Sequence, residues 1–434
     1  MKRTKSTLSM AKWLLVSTLI CGSAAVVTSC GNMDNALEEI INGGGSGGNS
    51  GGGETQNLNN DLSTVTENLT LVDGAVLTGT LDVANHPVKI SIADGATVTL
   101  RNVTIEGVHV DDDTYKWAGI TCLGDATIIL EGTNVVRGFH QYYPGIYVPE
   151  GKTLTIEGTA SDKLTATPWD GGGTYYSSGA GIGGGGYELP CGNIVIKGGD
   201  IMAKAGNRSA GIGGGYNAAM GDITISGGKI TATGGNNGAG IGTGDGGNKT
   251  GAVATITISG ADTEVTATGG SSGAGIGTGS GSENVAITIN GGKITANGGN
   301  NGAGIGAGYN SICEDIDINN GDIKAQGGRE AAGIGAGSQQ TECKNITISK
   351  GIVEATGGDF GAGIGTGYSG AGGISCCGDI TIMNTVTKVT ATKGSNAECC
   401  IGIGESHGTC GTVTIGGSTS VNTSSSPYVY QPNP

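Results

Sequence analysis

Aromatic side chains are scarce in this chain: two Phe, three Trp and twelve Tyr among 434 residues. So few Phe and Trp exclude an ordinary core of this size, and a compact globule of this length would divide into domains. Arginine is nearly absent too, and outside the first few residues it stands only at positions 101, 137, 208 and 329. The four histidines, His86, His109, His140 and His407, share no ligand spacing with each other or with the cysteines, which excludes a zinc site. No Ser-His-Asp set, phosphate-cradling loop ending in Lys-Ser/Thr, or HExxH string occurs. Positive charge is short as well. The formal charge is −15, and loss of residues 1–29 with their four cations and no acids leaves −19. That excludes nucleic acid as a partner, since phosphate backbones reward basic patches. A polyanionic ligand would need bridging cations, most simply calcium on oxygen ligands.

Glycine is what the chain has: 90 residues, most of them in repeats. "NNGAGIGTG" at 236–244 returns as SSGAGIGTG, NNGAGIGAG, REAAGIGAG and DFGAGIGTG. The central residues are Ile182, Ile212, Ile241, Ile276, Ile305, Ile334, Ile364 and Ile403, with degenerate copies at Ile120 and Ile146. Two further segments keep step. One is of the GDITISGG type, first apolar residue Ile194, Ile223, Ile256, Ile287, Ile316, Ile346, Ile380 and Val413. The other is of the KITATGG type, centred on Ile201, Ile230, Val265, Ile294, Ile323, Val353 and Val389. Each alternates apolar and polar for a few residues and ends in glycine, as a short half-buried strand does, and nothing of helical period lies between them. Three short strands per period of about thirty residues make one coil of a solenoid, whose interior is completed only by stacking. The fold expected is all-β: a right-handed parallel β-helix of about 10–12 coils with three short strands per coil.

Alternation assigns the faces. Ile223, Ile225, Ile230 and Ala232 point in, and Thr224, Lys229 and Thr231 point out. In AGIG, Ala239 and Ile241 point in and leave Gly240 and Gly242 outside, either as corner geometry or as a flat strip open to another surface. The residue before the KITAT centre runs Asp200, Lys229, Glu264, Lys293, Asp322, Ile352, Lys388, and its first five signs alternate as neighbouring rungs would require. Cys191, Cys313, Cys343, Cys377 and Cys410 share one coil position, three residues before the ITIS strand. Cys313 with Cys343 and Cys377 with Cys410 are therefore adjacent, as disulfides or as stacked core thiols. Cys376, Cys399 and Cys400 have no assigned partner.

The N-terminus carries Lys2, Arg3, Lys5 and Lys12, an apolar stretch and small residues before Cys30, the pattern of a secretory signal over residues 1–29. "VTSC" (27–30) resembles the bacterial lipobox, in which cleavage precedes a cysteine that takes lipid. Asp34, Glu38 and Glu39 just beyond resemble the surface-export signal of Bacteroidetes lipoproteins. Residues 30–60 then read as a lipidated cysteine and Gly/Ser-rich flexible tether, 61–420 as the β-helix domain and 421–434 as a C-terminal tail.

Nine of the seventeen aromatics crowd between 115 and 176, all but Tyr147 in three irregular segments that each precede a GI element. The same coil phase sets these loops side by side. Tyr115, Trp117, Phe139, His140, Tyr142, Tyr143, Tyr147, Trp169, Tyr175 and Tyr176, flanked by Asp111, Asp112, Asp113 and Asp170, offer flat apolar faces and hydroxyl acceptors suited to sugars. The competing reading is that the rings cap the helix or pack on each other. Tyr216, Tyr309 and Tyr368, four residues after their central Ile, form a second strip. Carboxylate pairs occur throughout, so residue types alone leave glycoside hydrolysis open.

The repeated AGIG, GDITISGG and KITATGG segments resemble the glycine-rich parallel β-helix surface lipoproteins of Bacteroidetes. More distantly they resemble the calcium-dependent, pectin-type carbohydrate-binding β-helix domains of the pectate-lyase-like superfamily. The resemblance spans residues 65–420. It implies a monomer, lipid-anchored to the outer membrane and displayed at the cell surface, that binds a glycan or other host or cell-surface ligand, as a carbohydrate-binding protein or adhesin without catalysis. A polysaccharide lyase or hydrolase and a purely structural surface protein are the alternatives. That calcium-binding family places acidic residues beside its repeated GI, where this chain has glycine and alanine; calcium stays an open cofactor and no other is expected.

Overall fold

The computed structural model describes residues 58–107, 113–169, 177–187, 189–249, 252–370, 373–405, 407–417 and 421–423. All lie in the second of two compact units, Met1–Gln56 and Asn57–Pro434. The signal sequence, Cys30 and the acidic residues after it lie outside the described residues, as do Asp111, Asp112, Asp170, Tyr175 and Tyr176. No helix among the described residues is long and apolar enough to cross a membrane.

Strands of two to ten residues follow one another from Asn59 to Thr423, interrupted by two single 3-10 turns, Leu62–Thr64 and Asp113–Tyr115. Every pairing is parallel, in one 26-stranded and one 12-stranded sheet, and the chain is an all-β parallel β-solenoid. Its crossovers are consistent with the right-handed sense of parallel connections. The 12-stranded sheet is the ladder of GI strands, one per coil, from Leu69–Leu71 to Ile401–Gly402. The larger sheet carries the other two ladders of each coil, for example Ala254–Ile258 and Glu264–Thr268. Near the N-terminus these two fuse into the single strand Ala96–Ile105, where no glycine pair breaks them.

Register follows the repeat markers. Ile194 pairs with Ile223, Ile223 with Ile256, and the succession runs unbroken to Val413. Ile201 through Val389 align likewise. The alternating charges stand on neighbouring rungs, Asp200 beside Lys229, Glu264, Lys293 and Asp322 in turn, and Lys293 Nζ lies 3.9 Å from Glu264 Oε1. Such exposed contacts contribute a few tenths of a kcal/mol each, so they select register more than they stabilise the stack. The core is a column of fully buried isoleucines at 146, 182, 212, 241, 276, 305, 334, 364 and 401. Burying one such side chain contributes about 1.5–3 kcal/mol. The strand Val421–Thr423 carries the third ladder three residues past position 420, pairing with residues 389–391.

Two sequence expectations need correction. The last GI element is centred on Ile401, which pairs with Ile364; Ile403 takes the position of Thr366. "IGIG" offers two Ile-Gly steps, and only the first keeps the partner coil in register. Gly240 and Gly242 are not on an open strip; both are buried. A Cβ on Gly240 would lie 2.7 Å from Thr268 N, at the end of the KITAT-type strand one rung beyond Lys229–Thr233. A Cβ on Gly242, at φ +137°, would meet Gly277 O of the next coil. These glycines serve close approach and backbone conformation.

Candidate functional site

The described parts of the loops before Ile120, Ile146 and Ile182 lie side by side, since those residues occupy neighbouring rungs. Phe139 N donates to Trp117 O at 3.2 Å, and Ser178 N donates to Gln141 O at 2.6 Å, joining the three loops through their backbones. The aromatic rings divide into two groups. Tyr115, Trp117 and Phe139 form an inward stack, with centroids 5.5 and 5.6 Å apart, and Phe139 is fully buried in the core. Trp117 and Tyr115 pack against that core, so this group closes the wall rather than facing solvent. Asp113 belongs to the 3-10 turn beside it.

The second group faces outward. His140 is buried and lies 5.3 Å from the Tyr142 ring and 5.8 Å from the Tyr143 ring, an imidazole support beneath two phenols. Tyr142 meets Tyr187 edge to face at 5.2 Å, Tyr187 meets Tyr216 in the same way at 4.9 Å, and the Arg208 guanidinium sits 4.4 Å over the Tyr216 ring. The result is a ladder of three rings and a cation crossing successive coils. Tyr187 is 53 % exposed and sits at φ +47°. Its backbone position corresponds to Asn217, Gly246, Gly281 and Asn310 in later coils, which suit a left-handed conformation that tyrosine rarely adopts. Burial raises the hydroxyl pKa of Tyr143 and Tyr147, and desolvation, followed by Tyr216 and Tyr142, raises that of Tyr187. These phenols stay neutral and able to donate hydrogen bonds at physiological pH.

On the same side a cleft of about 340 Å³ is lined by residues that include Arg137, Trp169, Ser177, Lys204 and Asn207. It joins the ladder through the chain: Asn207 precedes Arg208, and Ser178, next to Ser177, accepts a hydrogen bond from Tyr216 N. Trp169 Nε1 and Ser177 Oγ are buried without a hydrogen-bond partner among the described residues. Buried polar atoms seldom stay unpaired, and here two of them stand at one cleft. No carboxylate is among the cleft's described lining residues.

Of the sequence candidates, the outer ladder and cleft bring together Tyr142 and Trp169, with His140 and Tyr143 behind; Tyr115, Trp117 and Phe139 turn to the core. Sequence reasoning missed Tyr187, Arg208, Arg137, Ser177 and Lys204 as site residues. Tyr187 had a readable signal, a tyrosine where the next four repeats place asparagine or glycine and the one after them Gln339. Tyr216, Tyr309 and Tyr368 do share one backbone column, as the chain of hydrogen bonds from Tyr187 N to Tyr368 O records. Tyr368 also meets Phe360 at 5.0 Å, with Arg329 5.6 Å over that ring. No group of three or more His, Cys, Asp or Glu arranged to hold a metal ion occurs among the described residues.

Cysteine forms a separate cluster. Cys313, Cys343, Cys377 and Cys410 align in register on four successive coils, which confirms their adjacency, and the nine described cysteines are free thiols. Burial pushes Cys122 and Cys191 up to about 12.

The fold and these ladders define a β-helix repeat protein. Six segments of the chain, residues 194–216, 223–245, 256–280, 287–309, 316–338 and 346–368, match the family model described as Beta helix repeat. No curated protein and no solved structure matches the chain.

Proposed function

We propose that this protein is a non-catalytic carbohydrate-binding β-helix, anchored by lipid at Cys30 to the outer membrane and displayed at the cell surface, where it takes a glycan as partner. The observation that carries the reading is the outward ladder of Tyr142, Tyr187, Tyr216 and Arg208 beside a cleft with two unpartnered buried donors. Sugar rings present C–H faces that rest on aromatic rings, and hydroxyls that pair with Trp169 Nε1 and Ser177 Oγ. The lipobox-like "VTSC" supports the anchor, and the glycine-rich segment after it supports display away from the membrane.

A glycan array probed with the full chain tests this. Binding of at least one glycan class is expected. It should be lost in the Tyr142→Ala, Tyr187→Ala, Tyr216→Ala triple variant while the β-rich circular dichroism spectrum is kept, because truncated aromatic anchors often cost more than 1 kcal/mol each. Silence of the unaltered chain on every glycan, or undiminished binding by the folded variant, would refute the proposal.

A further inference from the structure

We propose that Cys377 and Cys410 are a disulfide-forming pair that clamps the last coil, with Cys313 and Cys343 closing as a second pair behind them. The four residues occupy consecutive rungs of one column. Parallel neighbours stand about 4.8 Å apart, inside the Cα separation a disulfide accepts. Four thiols in a row can all be paired between neighbours in one way only. A middle bond from Cys343 to Cys377 would strand Cys313 and Cys410 three rungs apart.

Exposure sets the order. Cys313 and Cys343 are 0 % exposed, Cys377 6 % and Cys410 9 %, so an oxidant reaches the column from its C-terminal end. Packing loosens at that end. Val413, Ile415 and Val421 are only partly buried, whereas their partners Ile380, Ile382 and Val389 on the preceding coil are fully buried. A cross-link there ties this partly buried coil to the one behind it.

The chemistry needs an external disulfide, either a small-molecule disulfide or that of a thiol–disulfide oxidoreductase. Hydrogen bonds from Cys343 and from Cys410 lower the Cys377 thiol, against the opposing effect of burial, which makes it the nucleophile of the column, while Cys343 and Cys410 are raised as its donors. The Cys377 thiolate attacks one sulfur of the external disulfide, whose S–S bond breaks and whose other half leaves as a thiol, taking a proton from water. Cys410, after giving its proton to water, attacks the mixed disulfide at Cys377. The new bond forms, and the second half of the external disulfide leaves as a thiol, taking a proton from water. Two protein thiols are oxidised and one external disulfide is reduced to two thiols.

The test treats the reduced full chain with oxidised glutathione under native conditions, followed by acid quench, alkylation in denaturant and peptide mass spectrometry with fragmentation. The expected early product links Cys377 to Cys410 with Cys313 and Cys343 alkylated, and the late product adds a Cys313–Cys343 link. Cys376→Ser should retain the first link and Cys410→Ser should remove it. Oxidation of the unaltered chain should raise its melting temperature by roughly 5 °C, a comparison that does not depend on any variant folding. A dominant Cys343–Cys377 or Cys399–Cys410 link, or four fully alkylated thiols after prolonged exposure, would overturn the assignment.

Discussion

Tyr187 concentrates the conflict between backbone and function in one residue. Its φ of +47° costs a bulky side chain about 1–2 kcal/mol, and two edge-to-face ring contacts, half exposed to water, return about 0.5–1.5 kcal/mol apiece. The two effects nearly cancel, and the variants should separate them. Tyr187→Asn removes the rings and the strain together, and its urea midpoint should report a stability within about 0.5 kcal/mol of the parent. Tyr187→Ala loses the rings and keeps the strain, and should cost about 1 kcal/mol. Both should weaken glycan binding by fivefold or more, measured by titration calorimetry. A clear loss of stability in Tyr187→Asn would mean that packing, not ligand contact, holds the tyrosine there. At this scale the sequence was legible in part. The density of rings between 115 and 176 was visible, but an irregular loop has no period from which to tell Phe139, turned inward, from Tyr142, turned outward.

The strands themselves were far more legible, because each coil carries three separate markers and the charges on the KITAT strands check them independently. Asp200, Lys229, Glu264 and Lys293 alternate only in the observed register. What alternation could not reveal was the thickness of the wall. A two-residue GI strand lies so close to its neighbours that its outward face is covered by backbone, hence the buried glycines. Gly277, at φ +133°, shows the consequence: its Cβ would lie 2.0 Å from Gly306 O. Gly277→Ala must strain φ and push the next coil away, and the loss expected is above 3 kcal/mol. Gly95→Ala shares the positive φ, at +76°, but would meet nothing within 4 Å, and should cost only about 1 kcal/mol. Urea denaturation followed by circular dichroism compares the two. Equal losses would show that conformation alone decides and that the close approach of the coils is relaxed at no cost.

Across the whole described unit, stability is set by nearest neighbours, because each coil touches only the coils before and after it. The two ends differ. At the N-terminal end the 3-10 turn Leu62–Thr64 sits against the strand Val76–Thr80 and buries Leu62 completely, so the first isoleucine layers are covered. At the other end Val413 and Ile415 remain partly exposed. Coils such as those carrying Ile276 and Ile305 have full partners on both sides. Opening free energy should therefore fall toward the C-terminus rather than stay uniform. Hydrogen exchange read by mass spectrometry on the reduced protein should show amides of residues 401–417 exchanging at least tenfold faster than those of residues 276–306, with residues 90–105 close to the slow group. Exchange at one rate throughout would mean that the solenoid opens as a single block, and that coupling between coils exceeds the difference in packing at its ends.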